Sequence, residues 1–363
     1  MTATSVLPAF PWDTIAEQAQ LARSHPEGLV DLSVGTPVDP VPRVVQDALA
    51  SVAHEPGYPW TAGTPSLREA AASALRRRFE VTVDPAAVLP TIGSKELVAW
   101  LPTLLGLGPG DVVAIPELAY PTYEAGALLA GAKVARLAPG AAPPAGTRLV
   151  WLNSPSNPTG RVAPAPELAD AVAAALATGA VVASDECYLS MSWIAPRPVS
   201  VLHPSVCGGR HDGLLAVHSL SKSSNLAGYR AGFVAGDPTL VTALLAVRKH
   251  AGMIVPRPVQ AAMTAALSDD DHVTEQLARY AARRDTLLAA VRGAGFTVEH
   301  STAGLYLWAT RGEPSRGTLG WFAERGILVA PGDFYGPAGA RHVRLALTAT
   351  DERIATAAAR LRP

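Results

Sequence analysis

The sequence predicts an α/β protein: a mostly parallel seven-stranded sheet flanked by helices, plus a smaller α+β domain. Three observations carry that reading. Between residues 88 and 236, short β-rich runs alternate with longer helical patterns, the order of a parallel sheet. The runs are mostly continuous in apolar residues rather than alternating, as strands buried on both faces are. After Pro256 a long arginine-studded helical segment is followed by shorter strands and helices.

In order, the strand runs are Val88–Ile92, Val112–Ile115, Val134–Leu137, Leu149–Leu152, Val181–Ser184, Leu214–His218 and Ala231–Val234. Helices are expected between them at about 95–105, 121–130, 165–178 and 222–228. Gly106-Leu-Gly-Pro-Gly110 follows a helix and precedes a strand, so it is a helix-stop loop; a dinucleotide fingerprint needs the reverse order. The Pro/Ala/Gly stretch at 138–146 reads as a surface loop. A helix over about 270–293 ends near Gly293 and Gly295. Beyond it come strands Thr297–Glu299, Leu305–Ala309, Ile327–Val329 and Val343–Ala346, with helices at about 316–325 and 351–361. The large domain is expected over 41–265, with 1–40 and 266–363 forming the small domain and an N-terminal arm. That division puts a cleft at the carboxyl ends of the sheet strands, where open α/β sheets bind ligands.

Composition excludes several classes. Thirty Lys+Arg against 31 Asp+Glu and no basic run argue against nucleic acid or an anionic membrane as partner. The longest stretches without Asp, Glu, Lys or Arg, 97–110 and 171–184, have fourteen residues each. A spanning helix needs about 20. No basic-then-apolar start is visible, so a cytoplasmic protein is expected. Two cysteines give no disulfide framework and no CxxC zinc pair. His203, Cys207 and His211 recur every four residues, but Pro204, Gly208 and Gly209 argue against a helix and hence against a metal site. Cys187 is expected to pack as a small apolar group.

Only four residues are lysine: Lys95, Lys133, Lys222 and Lys249. Lys222 lies in His218-Ser-Leu-Ser-Lys222-Ser-Ser-Asn-Leu-Ala-Gly-Tyr-Arg230, directly after a buried strand. Desolvation there disfavours the charged amine and makes it nucleophilic. Nearby hydroxyls and a guanidinium suit a phosphate. Lysine plus phosphate cradle outlines a pyridoxal-phosphate site. Asp185, ending Val181-Val-Ala-Ser-Asp185-Glu-Cys-Tyr188, would keep the pyridine nitrogen protonated, and Tyr188 can hydrogen-bond the ring's phenolic oxygen. On its own Asp185 is equally a turn residue. Asn153-Ser-Pro-Ser-Asn157-Pro-Thr-Gly160 is a proline-rich turn whose asparagine can donate to the phenolic oxygen or to a substrate carboxylate. Thr91-Ile-Gly93-Ser94-Lys95-Glu96 is a strand–turn–helix junction whose free amides form an anion site at Gly93, Ser94 and Lys95.

The set SNPTG, SDExY, SLSKxxxLxGxRxG and a late VRLAL, in that order, resembles the class I/II aminotransferases of pyridoxal-phosphate fold type I. The resemblance implies that Lys222 forms the covalent link to the cofactor and shuttles the proton between the substrate Cα and the cofactor carbon. It implies that Asp185 pairs with the pyridine nitrogen, that Tyr188 and Asn157 tune the phenolic oxygen, and that Ser219, Ser221 and Arg230 bind phosphate with the 93–95 turn. Tyr120 matches the aromatic that stacks on the ring. Tyr58 matches the tyrosine that reaches a neighbouring subunit's phosphate, which implies a homodimer with shared sites. Arg344 matches the clamp on the substrate α-carboxylate, a role for a planar bidentate fork. Gly35 matches the glycine that closes over the substrate.

Further segments, among them DLSVGTPVDPVP, GSKELVAWLPTLLGLG, LYLWATRGEP and ILVAPGDFYGP, are similar to N-succinyldiaminopimelate aminotransferases. That implies amino transfer from glutamate to N-succinyl-2-amino-6-oxopimelate in lysine biosynthesis. Its extra carboxylates need cations beyond Arg344, with Lys249, Arg257 and Arg43 as candidates and Trp12 and Tyr335 as pocket walls. An aminotransferase for another amino acid or a β-elimination lyase on the same fold are the alternatives. A transcriptional regulator on this fold would need a DNA-binding segment, and no basic helix-turn-helix is present.

Overall fold

The computed structural model describes residues 7–195 and 197–362. After a 3-10 turn at Pro11–Ile15 come α1 (Ala16–Arg23), β1 (Val30–Asp31), α2 (Arg43–Ser51) and α3 (Pro65–Phe79). Then follow β2 (Val88–Ile92), α4 (Gly93–Leu104), β3 (Val112–Pro116), α5 (Pro121–Leu129), β4 (Lys133–Leu137) and β5 (Thr147–Asn153). The next elements are α6 (Ala165–Ala177), β6 (Val181–Asp185), α7 (Pro204–Cys207), β7 (Leu214–Ser219), β8 (Ala231–Gly236), α8 (Pro238–Ala251) and α9 (Arg257–Ser268). The chain closes with α10 (Asp271–Gly293), β9 (Thr297–Glu299), β10 (Tyr306–Thr310), α11 (Ser315–Ala323), β11 (Ile327–Leu328), β12 (Ala330–Pro331), β13 (Val343–Ala346) and α12 (Asp351–Arg360).

All seven runs expected between 88 and 236 enter one sheet, in the order β2-β8-β7-β6-β5-β3-β4. Every strand runs the same way except β8, which is antiparallel to β7 and β2. Alternate residues of one strand feed two different cores. Val182 and Ala216 pack in a cluster with Leu75 of α3, Val172 of α6 and Met263 of α9. Ala183 and Val217 pack on the other face with Leu97 of α4, Tyr123 of α5 and Leu244 of α8. Burial on both faces is why these strands carry no polar alternation.

A third core holds Trp308, Phe322, Leu345 and Ile354 together with Ile15, Val30 and Leu32 from the N-terminal stretch. Its antiparallel sheet runs β12-β13-β10-β9, and β1 pairs with β11 in parallel. The N-terminal segment is thus built into the C-terminal structure.

Four local expectations change. Residues 222–228 form successive turns rather than a helix. Asn225 and Arg230 hold φ of 57° and 56°, and the Asn225 amide leaves the segment to donate to Gln276 Oε1 and the Pro40 carbonyl. The run 327–329 splits into β11 and β12, which join different sheets. Pro204 starts a helical turn instead of breaking one, because proline at the first helical position gives up no needed N–H. No metal-holding group of His, Cys, Asp and Glu forms among the described residues. Helices α2, α3, α8 and α9 were not anticipated, although Asp237-Pro238 and Gly252 at the two ends of α8 are ordinary cap signals. No described helix is long and apolar enough to cross a membrane.

Gly126 lets α5 lie directly on α4. A Cβ there would stand 2.8 Å from the Ala99 carbonyl oxygen and 2.9 Å from that of Val98. Both are backbone atoms that cannot swing aside. Gly126→Ala should cost about 1–3 kcal/mol, read as a lower urea midpoint at unchanged slope; an unshifted midpoint would show that the two helices separate freely.

Candidate active site

Strands β5, β6 and β7 end side by side at Asn153, Asp185 and Ser219. Their shared direction puts three polar side chains on one edge of the sheet, where the apolar cover stops. A cavity of about 1410 Å³ opens there, bounded across from the sheet by Tyr306, Phe334 and Arg344 and by the N-terminal segment.

Lys222 follows β7 and points its Nζ at the Gly35 carbonyl, to which it donates a hydrogen bond. Burial pushes its amine below the ordinary lysine range and outweighs the opposing pulls of Tyr306 and Cys187, with Arg344 and Arg230 adding smaller pushes in the same direction as burial. Asp185 is buried, and burial raises its acid range although Tyr123 Oη donates to it at 2.8 Å and Cys187 N at 3.2 Å. No ion pair reaches Asp185 among the described residues. A desolvated carboxylate without a cation suits a protonated nitrogen arriving from the cavity. Tyr123 is in turn stacked on Trp151 at 4.9 Å, so the donor is held rigidly.

An anion cradle lies beside them. Gly93 has φ of 71° and opens α4, whose first amides face the cavity. The Arg230 guanidinium lies across it: a Cβ on Gly93 would fall 2.3 Å from Arg230 Nη2. Ser94, Ser219 and Ser221 complete the wall. These groups have the chemistry to hold a phosphate ester, and with Lys222 and Asp185 the set fits pyridoxal phosphate.

Across the cavity, Arg344 lies 3.8 Å over the Tyr306 ring, donates to Asn157 Oδ1 at 2.9 Å and to the Ser33 carbonyl at 2.7 Å. Its Nε has no partner. Tyr188 and Tyr306 share a hydroxyl–hydroxyl bond of 2.9 Å, and burial raises the Tyr188 phenol. Tyr120 lines the cavity, its phenol pushed up to about 12, chiefly by burial. Asn153 links the 153–160 turn to β6, accepting from Asn157 N at 2.7 Å and donating to the Asp185 carbonyl at 2.8 Å.

The structure thus gathers Gly35, Gly93, Ser94, Lys95, Tyr120, Asn157, Asp185, Tyr188, Ser219, Ser221, Lys222, Arg230 and Arg344 around one cavity. Tyr58 stays out of it, 96% exposed. Lys249 lies on the exposed side of α8, Arg257 pairs with Glu55 at 2.7 Å, and Arg43 with Asp47 at 2.9 Å. None of those three cations reaches the cavity within the chain. Trp12 does form a wall, 5.2 Å from Phe334. Tyr335 does not: it is fully buried against Trp308, and its neighbour Phe334 faces the space. Cys187 packs as expected against an apolar cluster, with Tyr188, Tyr306 and Leu305, and its half-buried side chain also lines the cavity.

Sequence reasoning missed Tyr123, Tyr306, Arg136 and Arg316. Arg136 pairs with Glu124 at 2.6 Å, and Arg316 with Asp333 at 2.8 Å, both at the cavity mouth. Tyr306 lies in the segment LYLWATRGEP and Tyr123 three residues past Tyr120, but no local pattern says which tyrosine meets a carboxylate.

The pattern for aminotransferase class I and II matches residues 27–361. The chain is 64% identical to a probable aminotransferase of Mycobacterium tuberculosis, covering 98% of this chain and 85% of that one. It is 60% identical to the 4-dedimethylamino-4-oxo-anhydrotetracycline transaminase of Streptomyces rimosus, covering 98% and 99%. Among solved structures, a probable N-succinyldiaminopimelate aminotransferase from Thermus thermophilus superposes with a TM-score of 0.87 at 29% identity, covering 97% and 99%.

Burial and the negative charge of Asp185 raise the Cys187 thiol well above its usual range. Less thiolate at a given pH means slower alkylation. Iodoacetamide at pH 8 should therefore modify Cys187 at least about tenfold more slowly than free cysteine, with the rate still climbing above pH 9. Mass spectrometry of the labelled peptide reads it; a rate equal to free cysteine would contradict the assignment.

Proposed function

Because the chain belongs to the class I and II aminotransferases, we propose that it moves an amino group between glutamate/2-oxoglutarate and N-succinyl-2-amino-6-oxopimelate. The enzyme is pyridoxal-phosphate dependent, as its family is. When bound, that cofactor supplies an electrophilic carbon for amines and a ring that accepts electrons from the substrate Cα.

The chain's own residues divide the remaining work. Ser94, Ser219, Ser221, Arg230 and the amides at Gly93–Lys95 hold the phosphate. Asp185 keeps a proton on the ring nitrogen, and Tyr123 fixes the carboxylate that does so. Tyr188 and Asn157 would bond the phenolic oxygen, and Tyr120 would pack against the ring; all three line the cavity. Lys222, with its amine shifted toward the neutral form, is the nucleophile; once free, its Nζ takes the proton from Cα and delivers it on the same face. Arg344 would orient the α-carboxylate as a bidentate fork, and its place in the cavity wall over the Tyr306 ring supports that reading. Gly35 and the N-terminal segment exclude water above the substrate. Tyr58, exposed beside Trp60, suits a tyrosine that reaches across a homodimer to the partner's phosphate.

One observation carries the substrate. The cavity continues beyond Arg344 to a mouth with three cations, Arg136, Arg316 and Lys95. Both arginines are already paired with carboxylates. Among the described residues Lys95 has no carboxylate partner, and it faces the Phe10 ring at 5.8 Å. It is the cation left for a distal carboxylate, and the acceptor carries two beyond the one Arg344 takes.

A second reading has its own support. Phe10, Trp12 and Phe334 form an aromatic rim, which suits a flat polycyclic ketone of the kind named for the Streptomyces relative. Acceptor competition separates the two. Succinylated diaminopimelate as amino donor should outrun free diaminopimelate and a polycyclic amine; the reverse order selects the aromatic acceptor.

Glutamate should convert the cofactor's absorbance to that of its amine form. No change with glutamate, together with pyruvate release from a cysteine-type substrate, would select the lyase instead. Lys222→Ala should lose borohydride-stable cofactor and at least about 10²–10⁴-fold in rate; retained covalent cofactor would mean another lysine carries it. Lys95→Gln should raise KM for the succinylated substrate about tenfold, about the worth of one charged hydrogen bond, at an unchanged cofactor spectrum. An equal rise for a monocarboxylic substrate would assign Lys95 to the phosphate alone.

A further inference from the structure

Glu186 and His218 sit directly behind the site and take no part in the chemistry above. Glu186 follows Asp185 at the end of β6, and His218 precedes Ser219 on β7, which pairs with β6. Because neighbouring side chains on a strand point oppositely, the two residues face the back of the sheet while Asp185 and Ser219 face the cavity. Glu186 Oε2 and His218 Nε2 stand 3.5 Å apart, and neither atom has another hydrogen-bond partner. Glu186 Oε1 accepts from Val201 N at 2.8 Å, which leaves Oε2 directed at the imidazole. The imidazole is stacked between Phe79 at 6.3 Å and Phe233 at 4.9 Å.

We propose that Glu186 and His218 form a positioning pair in which a neutral carboxyl donates its proton to Nε2, clamping β6 to β7 behind Asp185 and Ser219. Two buried polar atoms left unbonded would each cost about 1–3 kcal/mol, and here each is the other's nearest remedy. A small side-chain rotation closes 3.5 Å to an ordinary hydrogen bond. Charge decides the protonation. Burial pushes Glu186 up to about 7, with Asp185 adding to the rise, and pushes His218 down to about 3. The groups facing the pair supply no counter-charge. Arg78 of α3 is committed to Asp270 at 2.6 Å and to the Ala266 and Asp269 carbonyls. Asp185 and the raised Cys187 thiol add only negative or neutral character, and Ser184, Ser190, Ser200 and Ser223 are hydroxyls. The proton therefore stays on oxygen, with the imidazole neutral.

The pair matters to the site through register and field. It holds the backbones that carry Asp185 and Ser219, and as a neutral pair it adds no charge behind Asp185. Loss of its proton as pH rises past neutrality adds a second negative charge one residue behind, which raises the proton affinity of Lys222 and of the cofactor nitrogen. This consequence rests on the cofactor roles proposed above; the pair itself does not.

Two measurements on the holoenzyme separate those dependencies. The infrared difference between wild type and Glu186→Gln at pH 6 should contain the carbonyl stretch of a protonated buried carboxyl, shifted in D₂O. Only carboxylate bands would overturn the pair, whatever the cofactor does. The absorbance titration of the lysine-bound cofactor should show an inflection near neutrality in wild type that Glu186→Gln lacks; superimposable titrations would overturn the coupling. Glu186→Gln still offers an N–H to Nε2 and should bind pyridoxal phosphate within about twofold of wild type. His218→Phe should bind it at least tenfold more weakly, and His218→Gln, with an acceptor in place, should recover most of that. Equal affinities for the Phe and Gln variants would reject positioning. Should His218→Phe fail to fold, the infrared and titration arms still decide.

Discussion

Desolvation of ionisable groups at the carboxyl ends of β5, β6 and β7 is the constraint on which this protein is organised. The middles of these strands are apolar because helices cover both faces, so Asp185 and Lys222 are set down where water is excluded. Each is then shifted toward its neutral form, Asp185 upward and Lys222 downward. A group that restores charge balance there, with a basic ring nitrogen for the acid and an electrophilic carbon for the amine, binds by relieving the cost that folding imposed. The arrangement prepares both sides of one cofactor at once.

The remaining parts hold that arrangement in place. Arg283 is buried and grips Asp39 at 2.6 Å and Asp351 at 2.6 Å, joining α10 to the chain entering the large sheet and to α12. Gln276 of the same helix donates to Asp39 and accepts from Asn225, three residues beyond Lys222. The lysine loop is therefore tied through one polar chain to the helix that leads into the C-terminal structure. At the mouth, Arg316 donates to Asp333 and to Thr14, and Arg136 spans Glu124 and the Tyr335 carbonyl. These arginines pin the walls of the cavity, each paired with a carboxylate of the protein itself.

The two faces of the sheet serve different ends. In front, Asp185, Ser219 and Lys222 present polar and ionisable groups to the cavity; behind, Glu186 meets His218, whose imidazole lies between Phe79 and Phe233. Successive residues of a strand cannot avoid this division, since their side chains alternate. A motif such as Ser-Asp-Glu-Cys-Tyr therefore mixes residues of both faces: Asp185, Cys187 and Tyr188 line the cavity while Glu186 lies behind the sheet.

By itself the sequence determined the sheet and the residues around the cofactor site. Seven apolar runs announced seven strands because burial on both faces leaves a composition visible without neighbours. The segments with Gly93, Asn157, Asp185, Lys222, Arg230 and Arg344 were legible because the chemistry of each motif is local. The turns at 222–228 were not, since Asn225 is drawn from a helix by partners fifty and more residues away. Distal cations went astray for the same reason: Lys249, Arg257 and Arg43 looked available, while Arg136 and Arg316 reach the mouth only through packing of β4 and α11 against the 332–339 loop. Which tyrosine bonds Asp185, which aromatic forms the wall, and that Glu186 faces His218 are facts of packing. They depend on contacts between segments far apart in the chain, and only the tertiary structure brings those together.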